Sequence, residues 1–410
     1  MTRQVQAPTH VQAEAPHSAV RVVTAIAALA LGGFVIGTTE FVTMGLLPDI
    51  ATGVGATIPE AGHVITAYAA GVVVGAPPIV SLGARLPRRG LALGLVLAIA
   101  FGNVLTALAP SYGSLMVARF VAGLPHGAYF GVASLIAASL VSRDKRGRAV
   151  SSVMLGLAVA QVAGVPASTW LGQALGWRAA YWAVVALAVV TAIGLATVVP
   201  AAGRDTTASV RRELGALRRP QVWLTVGIGT VGFGGMFAVY SYVAPTITEV
   251  TGLGRGAIPW VLFAFGVGSI VGTTLGGRLA DRWLFGSLVG AMVTIGVFLG
   301  LFVGAAHHPV TAILVLFCIS VNASVLAVLL QLRLMLVAGE AEMLGAAMNH
   351  SALNIANGLG AWLGGLVIAA GLGYTAPAAV GVVLATAGLV VLAVSATIER
   401  RDHLRVSLSH

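Results

Sequence analysis

The sequence predicts an all-α polytopic membrane protein in which twelve transmembrane helices form two pseudo-symmetric six-helix bundles. Three observations lead to this fold class: the composition, the recurrence of long apolar runs and the placement of the basic residues. Of the 410 residues, 58% are hydrophobic and only 9% are charged. A soluble chain of this length would need far more polar surface to cover its core.

Apolar runs of about 20 residues or more recur along the whole chain, and each can cross about 30 Å of hydrocarbon as a helix. Glycine occurs 53 times, as expected where membrane helices approach one another closely. The predicted spans, numbered 1 to 12 in chain order, cover residues 21–47, 58–82, 90–109, 112–140, 149–174, 178–200, 221–247, 257–280, 286–306, 309–335, 343–371 and 375–397.

The basic residues of the short loops predict the orientation, because cytoplasmic loops carry an excess of Lys and Arg. One set of alternate loops and both ends of the chain carry many basic residues, whereas the other set has only Arg178 and Arg255. We therefore expect both termini to face the cytoplasm. Because the positive charge lies in these loops and not on a single patch or tail, it argues against a nucleic-acid partner.

Residues 201–220, "AAGRDTTASVRRELGALRRP", are the longest internal polar segment and lie near the middle of the chain. The chain therefore divides into a disordered tail (1–20), a six-helix bundle (21–200), a linker (201–220), a second bundle (221–397) and a tail (398–410), with both tails and the linker cytoplasmic. The linker is either a solvated connector or a short basic helix lying on the membrane. "GARLPRRG" at 83–90 and "GRLADRW" at 277–283 are a weak internal repeat that supports two related halves.

Several classes of protein are excluded. The apolar run after residue 20 is too long for a cleavable signal peptide, and the single cysteine, Cys318, excludes an intramolecular disulfide. No phosphate-binding Gly-Lys-Ser/Thr motif or Ser-His-Asp arrangement occurs, so neither an ATP-driven pump nor an enzyme is expected. His307 and His308 have no carboxylate or cysteine nearby, so we expect no metal site and no cofactor.

Glu40 is a carboxylate inside an otherwise apolar run, "GTTEFVTMGLLPD" at 37–49. It precedes Pro48 by about eight residues, which places it roughly 12 Å inside the membrane boundary. A charge there costs on the order of 2.5–3.5 kcal/mol, so intramembrane acids generally have a function. Glu40 is therefore a candidate both for proton coupling and for binding a cationic group of a substrate. The alternative is a structural carboxylate bonded to a neighbouring helix.

Other polar and aromatic residues of the spans follow helical spacing. In span 4, Arg119, His126 and Phe130 share a face, and a histidine suits proton relay or a structural hydrogen bond. In span 11, the stripe His350, Asn354 and Asn357 lines either a cavity or a helix interface. In span 7, Phe233, Met236 and Tyr240 suit apolar ligands or ordinary packing. Asn322 of span 10 is a further candidate for substrate binding, with interhelical bonding as the alternative.

Five segments together carry a resemblance to a known family. They are "GTTEFVTMGLLPDIA" in span 1, "RFVAGLPHGAYFGVAS" in span 4, "GVPASTWLGQALGWRAAYW" across spans 5 and 6, "FGGMFAVYSYVAP" in span 7 and "NHSALNIANGLGAWLGG" in span 11. Their order and spacing resemble the major facilitator superfamily, in its twelve-span drug:proton antiporter group, and are similar to arabinose-efflux-type permeases and chloramphenicol-efflux proteins. The resemblance covers residues 21 to 397 and implies that Arg119 takes part in proton coupling.

The resemblance also implies a set of residues for conformational gating: Arg85, Pro166, Gly277, Asp281 and Arg282. The chain departs from the family pattern at two of these motifs. After span 2, Val80, Ala84 and Pro87 replace the usual Gly, Asp and Gly, whereas the repeat after span 8 keeps the glycine and the aspartate. The antiporter motif of span 5 keeps Pro166 but reads "GVPAST" where paired glycines are usual.

The resemblance implies a monomeric secondary transporter in the cytoplasmic (inner) membrane. It would export a drug-like small molecule in exchange for protons, by alternating access between the two bundles, with the lipid bilayer as its surroundings. Two alternatives remain. Export of sugars or other metabolites would suit the several amides and few intramembrane acids. A sensor or scaffold on the same fold would call for additional soluble domains, which the sequence does not contain.

Overall fold

The computed structural model describes residues 19–83, 86–142, 145–200, 215–339 and 342–408. Helices dominate these residues, and no strand occurs in the described ranges. Ten stretches of described helix are long and apolar enough to cross a membrane. One of them, Arg255–Ala305, contains two predicted spans, and the helix Ile58–Gly83 takes the place of span 2. The predicted all-α membrane fold is confirmed.

The first half of the chain forms spans 1 to 6. Their bounds are Ala19–Gly45 with the continuation Leu47–Val54 (span 1), Ile58–Gly83 (span 2), Arg88–Leu108 (span 3), Tyr112–Gly123 with His126–Ser139 (span 4), Arg146–Val159 with Val165–Leu175 (span 5), and Trp177–Val198 (span 6). Span 5 contains a π-helical turn at Ala160–Gly164. Local signals set several ends: Ser111 caps span 4 with Ser114, and Gly55 ends the continuation of span 1 in the left-handed region at φ 68°.

The second half forms spans 7 to 12. Span 7 comprises Pro220–Gly227, a π-helical turn Ile228–Gly232, Phe233–Ser241, Val243–Pro245 and a second π-helical turn Thr246–Val250. Spans 8 and 9 share the helix Ile258–Ala305, which breaks at Trp283 (φ −163°, ψ 81°). Spans 10, 11 and 12 are Pro309–Ala338, Glu342–Ala369 and Ala376–Leu408. The last helix thus continues well past the predicted end at residue 397.

Two membrane faces follow from this order of spans. We name the face that carries Ala19 and Leu408 the terminal face, and the other the opposite face. The two halves meet in a large buried apolar cluster, in which Met44 and Ile65 of the first half join Tyr240 and Leu262 of the second. The first half also has its own apolar clusters, centred on spans 1, 3, 4 and 6.

The described hydrogen bonds between the halves all lie in the half of the protein nearer the opposite face. Thr66 of span 2 donates to the Gly358 carbonyl of span 11 over 3.1 Å. Gln173 donates to the Arg255 carbonyl over 2.9 Å, and the Arg255 side chain forms an ion pair with Asp49. The remaining bond involves Glu40. In this conformation the two bundles are therefore bonded together toward the opposite face.

Spans 2 and 4 lie with their backbones in direct contact. A Cβ atom at Gly71 would overlap the Phe120 carbonyl, and one at Gly123 would overlap the Tyr68 carbonyl. Only glycine permits this approach, which is typical of small-residue contacts in membranes. The contact brings the side chain of Tyr68 against the polar residues of span 4.

Candidate functional site

Glu40 is bonded across the interface between the two halves. Its side chain is buried, and its Oε1 atom accepts a hydrogen bond of 3.2 Å from Nδ2 of Asn357, in span 11. Asn357 is also fully buried, and its Oδ1 atom has no hydrogen-bond partner. Two residues predicted separately from the sequence, 317 positions apart, thus meet in the membrane interior.

Arg119 lies next to Glu40 and is held by the neighbouring residue. Its guanidinium donates to the hydroxyl and to the carbonyl of Thr39, each over 3.1 Å. Thr39 in turn donates to Asn103 over 2.6 Å, and the guanidinium lies 4.3 Å from the ring centroid of Tyr68. The arginine is wholly buried, and its Nε atom has no partner. A permanent cation is therefore fixed beside the carboxyl by polar contacts of span 1 and an aromatic contact of span 2.

His126, Phe130 and His350 form an aromatic column that crosses between the halves. Phe130 lies between the two histidines, with ring centroids 5.5 Å from His126 and 5.4 Å from His350; the second pair is stacked at 6°. Nδ1 of His126 is 3.0 Å from the hydroxyl of Tyr68, so the column is continuous with the surroundings of Arg119. Pro125 places His126 at the start of a new helix after the break in span 4.

The aromatic residues of span 7 occupy two different environments. Tyr240 packs against Phe41, next to Glu40, with centroids 6.0 Å apart, and stacks on Phe265 of span 8 at 4.3 Å. The ring centroid of Phe233 instead lies 5.5 Å from that of Phe237 in its own helix. Met236 is buried in the large apolar cluster between the two halves. Tyr240 is therefore the member of the predicted stripe that reaches the Glu40 region through a ring contact.

Two of the predicted amides contact other neighbours. Asn354 donates to the carbonyl of His350 over 3.0 Å and lines a groove between spans 2 and 11. Asn322 of span 10 is hydrogen-bonded to Thr294 of span 9. Within the described part of the chain, no hydrogen bond joins either amide to Glu40.

The predicted gating residues are dispersed. Pro166 is buried in the first turn of the helix that follows the π-helical turn of span 5. Asp281 and Arg282 are exposed beside the break at Trp283, and no ion pair within the described ranges includes either of them. Gly277 borders open space, since a Cβ there would meet no heavy atom within 4 Å. Arg85 lies outside the described residues.

Sequence reasoning did not name Thr39 and Tyr68, which hold Arg119, nor Phe41 and Phe265, which enclose Tyr240. Thr39 could have been inferred from its place beside Glu40, in the polar triplet "TTE" of an apolar run. The other three are aromatic residues in apolar segments, and nothing in their sequence pattern distinguishes them from packing residues.

The comparisons with known proteins bear on the same architecture. The family model described as "Major Facilitator Superfamily" matches residues 29–349. The chain belongs to the major facilitator superfamily. The predicted resemblance is thereby confirmed, and the superfamily match covers the segments that carry Glu40, Arg119, His126 and Phe130.

Members of the superfamily are among the similar proteins. The chain is 40% identical over 369 residues to the inner membrane transport protein YdhP of Escherichia coli (strain K12), covering 90% of this chain and 95% of that relative. It is 36% identical over 352 residues to a chloramphenicol resistance protein of Streptomyces lividans, with 85% and 88% covered. A solved structure of a D-xylose-proton symporter superposes with a TM-score of 0.70 at 17% identity, over 90% of this chain and 97% of that one.

Membership in the major facilitator superfamily fixes the broad class of activity. The chain is a multi-pass membrane transporter and not an enzyme. Among the described residues, no group of three or more His, Cys, Asp or Glu side chains could hold a metal ion.

Proposed function

We propose that this transporter exports a drug-like small molecule across the cytoplasmic membrane in exchange for protons. The observation that supports this proposal is the buried carboxyl of Glu40, bonded to Asn357 of the other half of the protein. A single titratable group at that interface can respond both to a proton and to a substrate. It also takes part directly in the contact that must change when the two halves move.

The chemistry of Glu40 follows from its two protonation states. As a carboxylate it accepts a charge-assisted bond from Asn357, which is stronger than a bond to a neutral acceptor. Protonation removes the charge, weakens that bond and so favours separation of spans 1 and 11. A substrate with a cationic or donor group competes for the same oxygen atoms. Proton and substrate therefore bind alternately, and each biases the equilibrium between the two arrangements of the bundles.

Arg119 and the aromatic residues supply the rest of the proposed site. The buried guanidinium provides a fixed positive charge beside Glu40, and its free Nε atom can donate to a substrate acceptor. Tyr240 and Phe130 offer apolar faces, and His126 and His350 extend the polar path along the column. Phe233, Met236, Asn354 and Asn322 stay candidates for contact in other arrangements of the two bundles.

The further features of the proposal rest on the resemblance of the motifs. We place both termini in the cytoplasm, so that the terminal face is cytoplasmic, and we propose a monomer of two bundles, 21–200 and 221–397. Pro166, Gly277, Asp281 and Arg282, with Arg85, would act in the movement of the bundles, as the resemblance implies. Pro166 follows the π-helical turn of span 5, and Asp281 and Arg282 lie beside the break at Trp283. Similarity to a chloramphenicol resistance protein supports a drug-like substrate.

Export of a sugar or another hydroxylated metabolite is the second candidate. Unpaired amide oxygens favour it: the Oδ1 atoms of Asn349, Asn354 and Asn357 are buried and have no hydrogen-bond partner. Hydroxyl groups of a neutral ligand would satisfy such acceptors. This candidate uses the same region and differs from the first only in the ligand.

Transport into proteoliposomes under an imposed pH gradient tests the proposal. The substrates are a panel of lipophilic drugs that includes chloramphenicol, and a matched panel of monosaccharides. We expect the pH gradient to raise the transport rate of the wild-type protein and of Glu249→Gln, which is a control at an exposed carboxylate. Glu40→Gln keeps an acceptor for Asn357 but cannot titrate, so it should transport at the same rate with and without the gradient.

Two outcomes would contradict this assignment. A gradient response that persists in Glu40→Gln would mean that another group carries the proton. Gradient-driven transport of monosaccharides, without transport of any lipophilic drug, would favour the second candidate.

A further inference from the structure

A groove of about 380 Å³ lies between span 2 and span 11, on the lipid-facing side of the contact between the halves. Its volume falls in the range of about 300–1,000 Å³ that is typical of small-molecule sites. The walls are almost entirely apolar, and several wall residues are exposed at mid-span positions, where they face the hydrocarbon. The main wall residues are Thr66, Ala70, Val74, Ile355, Gly358 and Trp362.

Asn354 gives this apolar groove one polar position. Asn354 lines the groove, yet the residue is only 4% exposed. Its Nδ2 atom donates to the His350 carbonyl, so its Oδ1 atom is the one left over, and that atom has no hydrogen-bond partner. An unpaired acceptor at membrane depth is costly, because lipid tails cannot donate to it. A bound molecule with an N–H or O–H group would satisfy it.

A second polar side chain of the groove, that of Thr66, is already bonded. Thr66 donates its hydroxyl proton to the carbonyl of Gly358, and this bond closes the contact between spans 2 and 11. Asn354 precedes Asn357 by three residues on span 11, so the groove and the partner of Glu40 lie within one helical turn of each other. The groove and the contact of Glu40 therefore lie at the same level of span 11.

We infer that this groove binds, from the lipid, an apolar molecule that carries one hydrogen-bond donor, with its donor group on Oδ1 of Asn354. A plain acyl chain would fill the volume but would leave the amide oxygen unpaired. We further infer that the groove receives the exported substrate, an inference that rests on the function proposed above. The binding itself does not depend on that function.

Quenching of tryptophan fluorescence tests the inference, because Trp362 lies in the groove and is 45% exposed. The probes are a ten-carbon alcohol and the matching ten-carbon alkane, each with two bromine atoms in mid-chain, added to the protein in lipid nanodiscs. Quenching at the groove is measured as the part of the total tryptophan quenching that is absent from Trp362→Phe. We expect the alcohol to quench saturably, with an affinity about 2- to 12-fold higher than the alkane, as one neutral hydrogen bond allows.

Two variants make the test specific. Asn354→Leu removes the acceptor and should abolish the preference for the alcohol. Ala70→Phe fills the groove from its exposed wall and should abolish saturable quenching by both probes, so it decides the question if Asn354→Leu does not fold. Equal quenching by alcohol and alkane, or a preference that survives in Asn354→Leu, would overturn the inference.

A further variant separates this inference from the proposed function. Glu40→Gln should keep the preference for the alcohol over the alkane, because Glu40 does not line the groove and the substitution leaves Asn354 in place. If Glu40→Gln still responds to a pH gradient, the proposed antiport fails while the binding result stands. If wild-type protein shows antiport but no saturable quenching, the groove inference fails alone.

Discussion

The ion pair between Asp49 and Arg255 should stabilise the conformation in which the opposite face is closed. It joins the continuation of span 1 to the turn before span 8, and thus connects the two halves. Replacing Asp49 with Asn, or Arg255 with Gln, removes the ion pair. The bond from Gln173 to the main-chain carbonyl of residue 255 can persist in both variants, since it does not use either side chain. We expect each substitution to shift the population toward opening at the opposite face.

The exposure of the two side chains sets the expected magnitude. Arg255 is 58% exposed and Asp49 is 17% exposed, so water screens the pair. Exposed ion pairs contribute about 0.2–1 kcal/mol, and this pair belongs in that range. The ratio of closed to open molecules should therefore fall by a factor of about 1.4 to 5. Raising the salt concentration to about 1 M, where the Debye length is about 3 Å, should produce most of the same shift in the wild type.

Distances between two spin labels measure this ratio. One label is attached at Gly113→Cys, where an added side chain meets no heavy atom within 4 Å, and the other at His307→Cys, in an exposed turn. Cys318→Ala removes the native thiol. Pulsed electron paramagnetic resonance then gives the fractions of short and long distances for the parent, the two single variants and the double variant.

The double variant decides whether the effect belongs to the pair. If the two side chains act on one another, the double variant should shift the ratio by little more than either single variant. Independent, additive shifts of the two variants would refute the reasoning, as would unchanged distance distributions in both. A wild-type distribution insensitive to salt would also contradict an electrostatic origin.

Two further predictions concern helix packing. Gly156→Ala should lower the free energy of unfolding by about 1–3 kcal/mol, because its Cβ would overlap the Ala30 carbonyl. Gly94→Ala, which meets no atom within 4 Å, is the matched control, and equal melting temperatures in nanodiscs would contradict the close contact of spans 1 and 5. Tyr242→Phe removes a buried hydroxyl that donates to Ala361 over 2.7 Å, and should cost about 0.5–1.5 kcal/mol in the same assay. An unchanged melting temperature there would mean that the hydroxyl is not bonded in the bilayer.

Much of the fold could be predicted because each span is recognisable from its own hydropathy, and the orientation from the charge of the short loops. Each apolar run reports its own length, and the twelve predicted spans correspond to the described helices. Hydropathy does not report a break within an apolar helix, however. Span 7 contains two π-helical turns that no period in the sequence indicates, whereas the break at Trp283 falls in the predicted gap between spans 8 and 9.

Several residues of the candidate site were predictable from the sequence, but their contacts were not. Helical spacing placed His350, Asn354 and Asn357 on one stripe, and the structure gives each a different neighbour: Phe130, the lipid-facing groove and Glu40. Periodicity defines a face of a helix, but the neighbour at each level depends on how the other helices cross it. The roles assigned to these residues stay predictions until transport is measured.

The bond between Glu40 and Asn357 has a consequence for how the protein is made. Its two ends are 317 residues apart, and synthesis proceeds at about 5–20 residues per second, so the amide follows the carboxyl by roughly 15–65 s. The bonded contacts of Arg119, by contrast, come from Thr39, on a helix synthesised before span 4. When the first six spans have been synthesised, Arg119 can therefore already bond to Thr39. Glu40 can bond to Asn357 only after span 11 has been synthesised and inserted. Correct insertion of the late spans is then what completes the polar interior of the early ones.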